Sequence, residues 1–180
     1  MIFGVSISLG PILPADFPSL FRWADDFDAA RLNDVYRPAV VRSQEEYWLN
    51  TGNDASKVLF AIRKLNMPPI IGYVQIKNID PIHRSAIIGI RIGDEANRSQ
   101  GYGTEALRLA ISYCWNHLNL SRIELTVFGT NPRAAKLYSS LGFDTEGVLR
   151  KAIFIDGHWL DVVLMGLLHP TRANGSTIEA

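Results

Sequence analysis

The chain has 180 residues, 47% of them apolar, and its 18 basic and 18 acidic side chains cancel to a net charge of zero. That length suits one domain with a sizeable core. The charge balance leaves no basic face for nucleic acid, and no apolar run is long enough for a membrane helix. The single cysteine excludes an internal disulfide and any multi-cysteine metal site, so no metal is expected. Met1-Ile2-Phe3-Gly4-Val5 lacks the basic flank and long apolar core of a signal peptide, and the expectation is a soluble cytoplasmic protein.

In chain order, the patterning predicts a strand near 2–9, helices over 15–28 and 42–51, then strands near 58–65, 70–79 and 84–93. A helix over 101–117 follows, then a strand over 121–128, a helix over 132–141, and strands near 147–155 and 159–168. Residues 29–40 show no clean periodicity. Asp25, Asp26, Asp28 and Asp34 form an acidic patch around Leu20, Phe21, Trp23 and Phe27, and Glu45 and Glu46 open the second helix beside Tyr47 and Trp48. Cys114 shares a helical stripe with Leu107, Ala110, Ile111 and Leu118, which makes it a core residue rather than a nucleophile. Trp115 and Trp159 fall on core or sheet faces and read as packing. The expected organisation is one domain over 1–169, with a frayed tail over 170–180.

The most informative stretch is Arg98-Ser99-Gln100-Gly101-Tyr102-Gly103-Thr104-Glu105-Ala106, which follows the apolar run Ala86 to Ile92 and opens the 101–117 helix. Glycines at 101 and 103 let backbone N–H groups approach an anion, and the helix N-terminus adds its positive end, so the turn reads as a pyrophosphate cradle. A Walker loop is excluded, because Gly103-Thr104-Glu105 stands where Gly-Lys-Ser/Thr is needed. Gly101-x-Gly103-x-x-Ala106 does fit a dinucleotide fingerprint, with Glu124 as the distant acid. Glu124, however, lies inside a strand rather than at its end, and the preceding elements are successive strands instead of alternating strand and helix.

A second motif decides the matter: Asn131-Pro132-Arg133-Ala134-Ala135-Lys136-Leu137-Tyr138-Ser139-Ser140-Leu141-Gly142-Phe143. Asn131 suits an N-cap, Pro132 the first helical position and Gly142 the C-terminal stop. Together the two motifs resemble the GNAT superfamily of acyl-CoA-dependent N-acetyltransferases. There Arg/Gln-x-x-Gly-x-Gly/Ala grips the CoA pyrophosphate, and Asn-x-x-Ala-x-x-Leu-Tyr-x-x-x-Gly-Phe follows in the next helix. The paired strands over 72–80 and 85–93, with an Asp156-Gly157 hairpin near the end, are similar to the ribosomal-protein N-terminal and spermidine acetyltransferase branch. The resemblance implies an α/β (α+β) fold with a mixed, mostly antiparallel sheet of about seven strands flanked by about four helices.

It also implies a site. Backbone groups of Ile90, Arg91 and Ile92 would run beside the pantetheine arm of acetyl-CoA, and the amides of Ser99 to Thr104 would wrap the pyrophosphate with charge from Arg98. Asn131 and Ala134 would contact the co-substrate from the opposite side. Tyr138 would protonate the departing thiolate, and Lys136 would face solvent or the CoA phosphates. The implied reaction moves an acetyl group to a primary amine of a protein N-terminus, a polyamine or another small molecule. Dimers are common in the family.

One departure stands out. Many relatives carry Ala-Glu-Ile-Gly before the phosphate loop; here the stretch is Ala86-Ile87-Ile88-Gly89, without the carboxylate base. A polyamine-like amine with pKa near 10.4 costs about 4–5 kcal/mol to deprotonate at neutral pH, an α-amine near 8 only about 1. The missing carboxylate therefore favours a low-pKa amine, or proton removal through Asp80, His83 or Glu124. It also leaves a competing class, an acyl-CoA-binding sensor or interaction module without turnover.

Overall fold

The computed structural model describes residues 1–31, 38, 40–50 and 54–171. The strands are Ile2–Phe3 (β1), Ile7–Gly10 (β2), Val58–Lys64 (β3), Ile70–Asp80 (β4), Ser85–Ile92 (β5), Arg122–Phe128 (β6), Asp144–Ile155 (β7) and His158–Leu168 (β8). The helices are Phe17–Ala24 (α1), Phe27–Ala30 (α2), Val41–Asn50 (α3), Tyr102–Asn116 (α4) and Pro132–Ser139 (α5). The strands form one sheet in the order β1-β2-β3-β4-β5-β6-β8-β7, antiparallel except for the β5–β6 pair.

Strand alternation gives that sheet two apolar faces. On one, Leu107, Ala110 and Cys114 of α4 pack against Ile7, Leu9, Ile62, Val74, Ile76, Ile88 and Ile123, all essentially sealed from water. Each such aliphatic side chain contributes about 1.5–3 kcal/mol. On the other, Leu20 and Trp23 of α1 meet Ala61 and Ile70, with Trp48 of α3 and Tyr73 alongside. A buried ion pair fixes the entry to α1: Arg63 reaches Asp16 at 2.5 Å and also donates to the carbonyls of Pro68 and Pro11. Buried charges are tolerated when paired and hydrogen-bonded in this way.

The expected fold class holds, with three local corrections. The strand read over 2–9 is a hairpin, because the Glu105 carboxylate accepts the amides of Val5 and Ser6 at 2.5 and 2.9 Å and turns the chain there. The helix read over 15–28 is broken: Asp26 adopts an extended backbone (ψ 101°) and caps a new helix by accepting the Ala29 amide at 3.0 Å. These breaks raise the element count to eight strands and five helices among the described residues. The strand read from 147 starts at Asp144, as β7 absorbs two register shifts against β8. The Asp156-Gly157 hairpin forms as read, both residues at positive φ (51° and 79°). Of the acidic patch, Asp26 is thus a cap and Asp28 pairs with Arg31 at 3.7 Å, while Asp34 and the tail over 172–180 lie outside the described residues.

Candidate active site: a cleft that opens through the sheet

The site originates in the single parallel pairing. β5 and β6 are in register only at Ser85↔Arg122, Ala86↔Ile123 and Ile87↔Glu124, after which they diverge. The gap becomes a cleft of about 500 Å³ lined by Ile90, Arg91 and Ile92 of β5, by Asn97, Arg98, Ser99, Gly101, Gly103 and Thr104 at the start of α4, by the cap Asn131 with Arg133, Ala134, Leu137 and Tyr138 of α5, and by Ala29 of α2. Because α5 lies on the α4 face and α2 follows α1 on the other, the cleft passes through the sheet. Of the residues read from sequence, it gathers Ile90, Arg91, Ile92, Arg98, Ser99, Gly101, Gly103, Thr104, Asn131, Ala134 and Tyr138. Gln100 is exposed outside the lining, Tyr102 packs against the core under Lys64 at 5.2 Å, and Lys136 is exposed on the outer side of α5.

The glycine loop has the geometry of an anion cradle. Gly101, at φ 84°, is the N-cap of α4 and supplies no capping side chain, so the first amides of the helix have no intrahelical acceptor. A Cβ placed on Gly101 would meet nothing within 4 Å. Such orphan N–H groups at a helix N-terminus are suited to phosphate. Arg98 does more than supply charge: its Nη2 donates to the Gly93 carbonyl at 2.6 Å and its Nε to that of Ile92 at 3.4 Å, fastening the loop to the end of β5. Arg98→Ala is therefore expected to weaken acetyl-CoA affinity by about 1–3 kcal/mol, with a KM rise larger than the kcat loss. Calorimetry and steady-state kinetics check this; a pure kcat defect contradicts it. Arg98→Lys, which keeps charge but not the fork, restores only part.

Sequence reasoning missed Arg133, Asn97, Leu137 and Ala29 as lining residues. Arg133 donates to Ser99 Oγ at 2.8 Å, bringing a second guanidinium to the cradle. Its position in the first turn of α5, on the same stretch as Asn131, was the available signal. The Asn131 side chain accepts the Ala134 amide at 3.1 Å, so its capping role is realised. Tyr138, two turns on, is 7% exposed and set edge-on to Phe143 with ring centroids 5.7 Å apart. Burial pushes its phenol up to about 12. Among the described residues its hydroxyl makes no hydrogen bond to the protein, and the residue borders the cleft.

The opposite wall is anchored to the loop as well. The Trp23 indole lies against Gly93 so closely that any Cβ there would collide with the ring. Asp94 accepts from Trp23 Nε1 at 3.1 Å and from Arg22 at 2.9 Å. The Trp23 bond, then Arg22, holds the Asp94 carboxyl below the usual range. Trp48 is not in the lining; it packs tilted against Phe17 and edge-on to Phe21, with ring centroids 5.4 and 4.9 Å apart, and joins α3 to α1. Trp115 packs edge-on to His169, whereas Trp159 is 59% exposed and pairs with Phe154 on the β7–β8 hairpin.

None of the three base candidates lines the cleft. Asp80 accepts the amides of Ile82 and His83, both at 2.8 Å, in the β4–β5 turn; these bonds, that from His83 foremost, lower its pKa. Glu124 stands beside Ile87 at the apex of the divergence but is engaged by Arg122 at 3.2 Å. Cys114 is fully buried and its thiol is pushed up to about 12, consistent with a core residue. Among the described residues there is no cluster of metal-ligating side chains and no helix long and apolar enough to cross a membrane.

Comparisons with known proteins agree with this geometry. An acetyltransferase (GNAT) domain matches residues 7–144. Spermidine N(1)-acetyltransferase of Vibrio cholerae is 37% identical over 107 residues, 59% of this chain and 61% of that protein. The L-amino acid N-acetyltransferase AaaT of Escherichia coli is 33% identical over 98 residues, 53% of this chain and 60% of that one. The chain thus spans about three fifths of the length of these two relatives. A crystal structure of the Vibrio cholerae spermidine N-acetyltransferase with CoA and spermine superposes with a TM-score of 0.82 at 27% identity, covering 91% of this chain and 95% of that one. With a divided parallel pair, a glycine-capped α4 and the Asn131–Tyr138 helix in place, the chain belongs to the GNAT acetyltransferase family.

Proposed function

We propose that the protein is an acetyl-CoA-dependent N-acetyltransferase acting on a primary amine. The observation that carries this reading is the passage of one cleft through the sheet, with a phosphate cradle on the α4 side and an open wall beside α2. A donor and an acceptor can thereby meet from opposite faces. The orphan amides at Gly101 to Thr104 hold the pyrophosphate, and Arg98 and Arg133 supply the countercharge. Ile90, Arg91 and Ile92 offer the free backbone edge of β5 to the pantetheine arm, opposite Asn131 and Ala134. A neutral amine attacks the thioester carbonyl, the C–S bond breaks, Tyr138 delivers its proton to the sulfur, and the proton released from the amine nitrogen, passing through water, restores the phenol. The relatives' acceptors include spermidine and L-amino acids, and both are within reach of an open wall.

The second reading, an acyl-CoA-binding module without turnover, is favoured by one residue, Ile87 in place of a carboxylate. Two measurements separate them. Acetyl-CoA at about 100 times its Kd stabilises the fold by about 2.7 kcal/mol, a Tm rise of several degrees that NAD does not produce. An acceptor screen then reads free thiol: release with any primary amine establishes the transferase, and a Tm rise without release establishes the binding module.

A further inference from the structure

We infer that the Arg91 side chain is the acceptor-recognising group, and that the acceptor is a small peptide-like α-amine bearing a carboxylate rather than a polyamine. This rests on the acetyltransferase reading above.

The first support is the charge lining the cleft. Among the described residues its charged side chains are Arg91, Arg98 and Arg133, with no carboxylate. Arg98 and Arg133 are fastened at the cradle, through the carbonyls of Ile92 and Gly93 and through Ser99 Oγ. Arg91 is not: its Nε is sealed from water without a hydrogen-bond partner, and among the described residues the guanidinium takes part in no ion pair. A buried guanidinium nitrogen without an acceptor costs free energy that an incoming anion would recover.

The second support is direction. Ile90 and Ile92 turn toward α4, where they stand 3.8 and 3.6 Å from the place a Cβ on Gly103 would occupy. Arg91, between them, faces the other way. Its cross-strand partner Tyr73 packs with Leu20 and Trp23 of α1. Arg91 is therefore on the far side of the strand from the phosphate cradle, on the wall completed by Ala29. An anion there belongs to the molecule arriving from the α2 side.

The third support is the missing base. Ile87 cannot accept a proton, and Asp80, His83 and Glu124 lie outside the lining. Only an amine that is substantially neutral by itself reacts quickly in such a site. At pH 7 a peptide α-amine is neutral in about one molecule in ten, a polyamine-like amine in about one in 2,500. Several positive charges on a polyamine would also be repelled by Arg91. A guanidinium binds a carboxylate through paired, charge-assisted hydrogen bonds, which suits it to this discrimination.

The test uses a dipeptide with a free C-terminal carboxylate, its C-terminal amide, and spermidine. Dipeptide and amide present nearly the same amine and differ in the anion. Thiol release from acetyl-CoA is followed for the wild type, Arg91→Gln and Arg91→Lys, alongside acetyl-CoA affinity by calorimetry. The expected result is a wild-type kcat/KM for the dipeptide at least tenfold above the amide and spermidine. Arg91→Gln removes a factor of roughly 10 to 100 for the dipeptide alone and leaves acetyl-CoA affinity within about threefold. Arg91→Lys retains part of the preference and keeps the test readable if Arg91→Gln loses its fold. Preference for spermidine, or for the amide, overturns the inference while upholding acetyl transfer. Equal losses for all acceptors with weakened acetyl-CoA binding overturn it by assigning Arg91 to the donor. No release with any amine, despite a Tm rise with acetyl-CoA, overturns the transferase reading and the inference with it.

Discussion

Tyr138→Phe lowers kcat by roughly 10²–10⁴-fold and leaves acetyl-CoA affinity almost unchanged. The substitution keeps the ring, its burial and its edge contact with Phe143, so packing is preserved and only the hydroxyl is lost. With the phenol pushed up to about 12, the group is fully protonated at neutral pH, a donor for a developing thiolate and a poor base for the amine. The sign follows directly: no alkaline fall in kcat due to Tyr138 appears until the pH approaches 12, and any limb nearer 8 belongs to the acceptor amine, rising with pH. An acyl donor whose thiol has a much lower pKa recovers much of the rate lost in Tyr138→Phe, because its leaving group departs unprotonated. Near-normal kcat in the variant on a verified acceptor would make the tyrosine structural.

The second large effect is on binding. Gly103→Val abolishes measurable acetyl-CoA affinity and leaves a folded protein. A Cβ at Gly103 would sit 3.6 and 3.8 Å from the side chains of Ile92 and Ile90, ordinary contact distances. Gly103→Ala is therefore tolerated with a modest change, and it serves as the control. Valine adds two methyl groups where α4 meets Ile90 and Ile92 of the cleft wall, and they take up room beside the cradle. Calorimetry with Ala and Val at this position, against Tm as the measure of folding, gives a graded series. Undiminished affinity in Gly103→Val would remove the loop from the site.

What the sequence made legible was whatever is encoded locally. The Arg98–Thr104 loop and the Asn131–Phe143 segment each announce themselves through glycine, proline or cap residues within about a dozen positions, and both line one cleft. What it concealed depends on distant partners. The turn that splits 2–9 into two strands is held by Glu105, about a hundred residues away, and nothing in Val5-Ser6 signals it. The break after α1 was legible in principle, since Asp26 is a good cap three residues before Ala29. Arg91 was read for its backbone beside the pantetheine arm, and only the alternation of β5 assigned its side chain a face, while Arg98 was read for its charge until its two carbonyl acceptors appeared.

The divergence of β5 from β6 gives this sheet four borders where an ordinary open sheet has two. β1 and β7 are the outer pair, and the inner pair face each other across the cleft. Unpaired backbone at a border normally invites another chain. These inner borders are covered by α4 and α5 on one side and open beside α2 on the other, an entry that suits a slender, amide-bearing ligand. Such a ligand would act as an absent strand. Its arrival would complete the ladder at the centre of the molecule, so that the ligand becomes part of the sheet it binds.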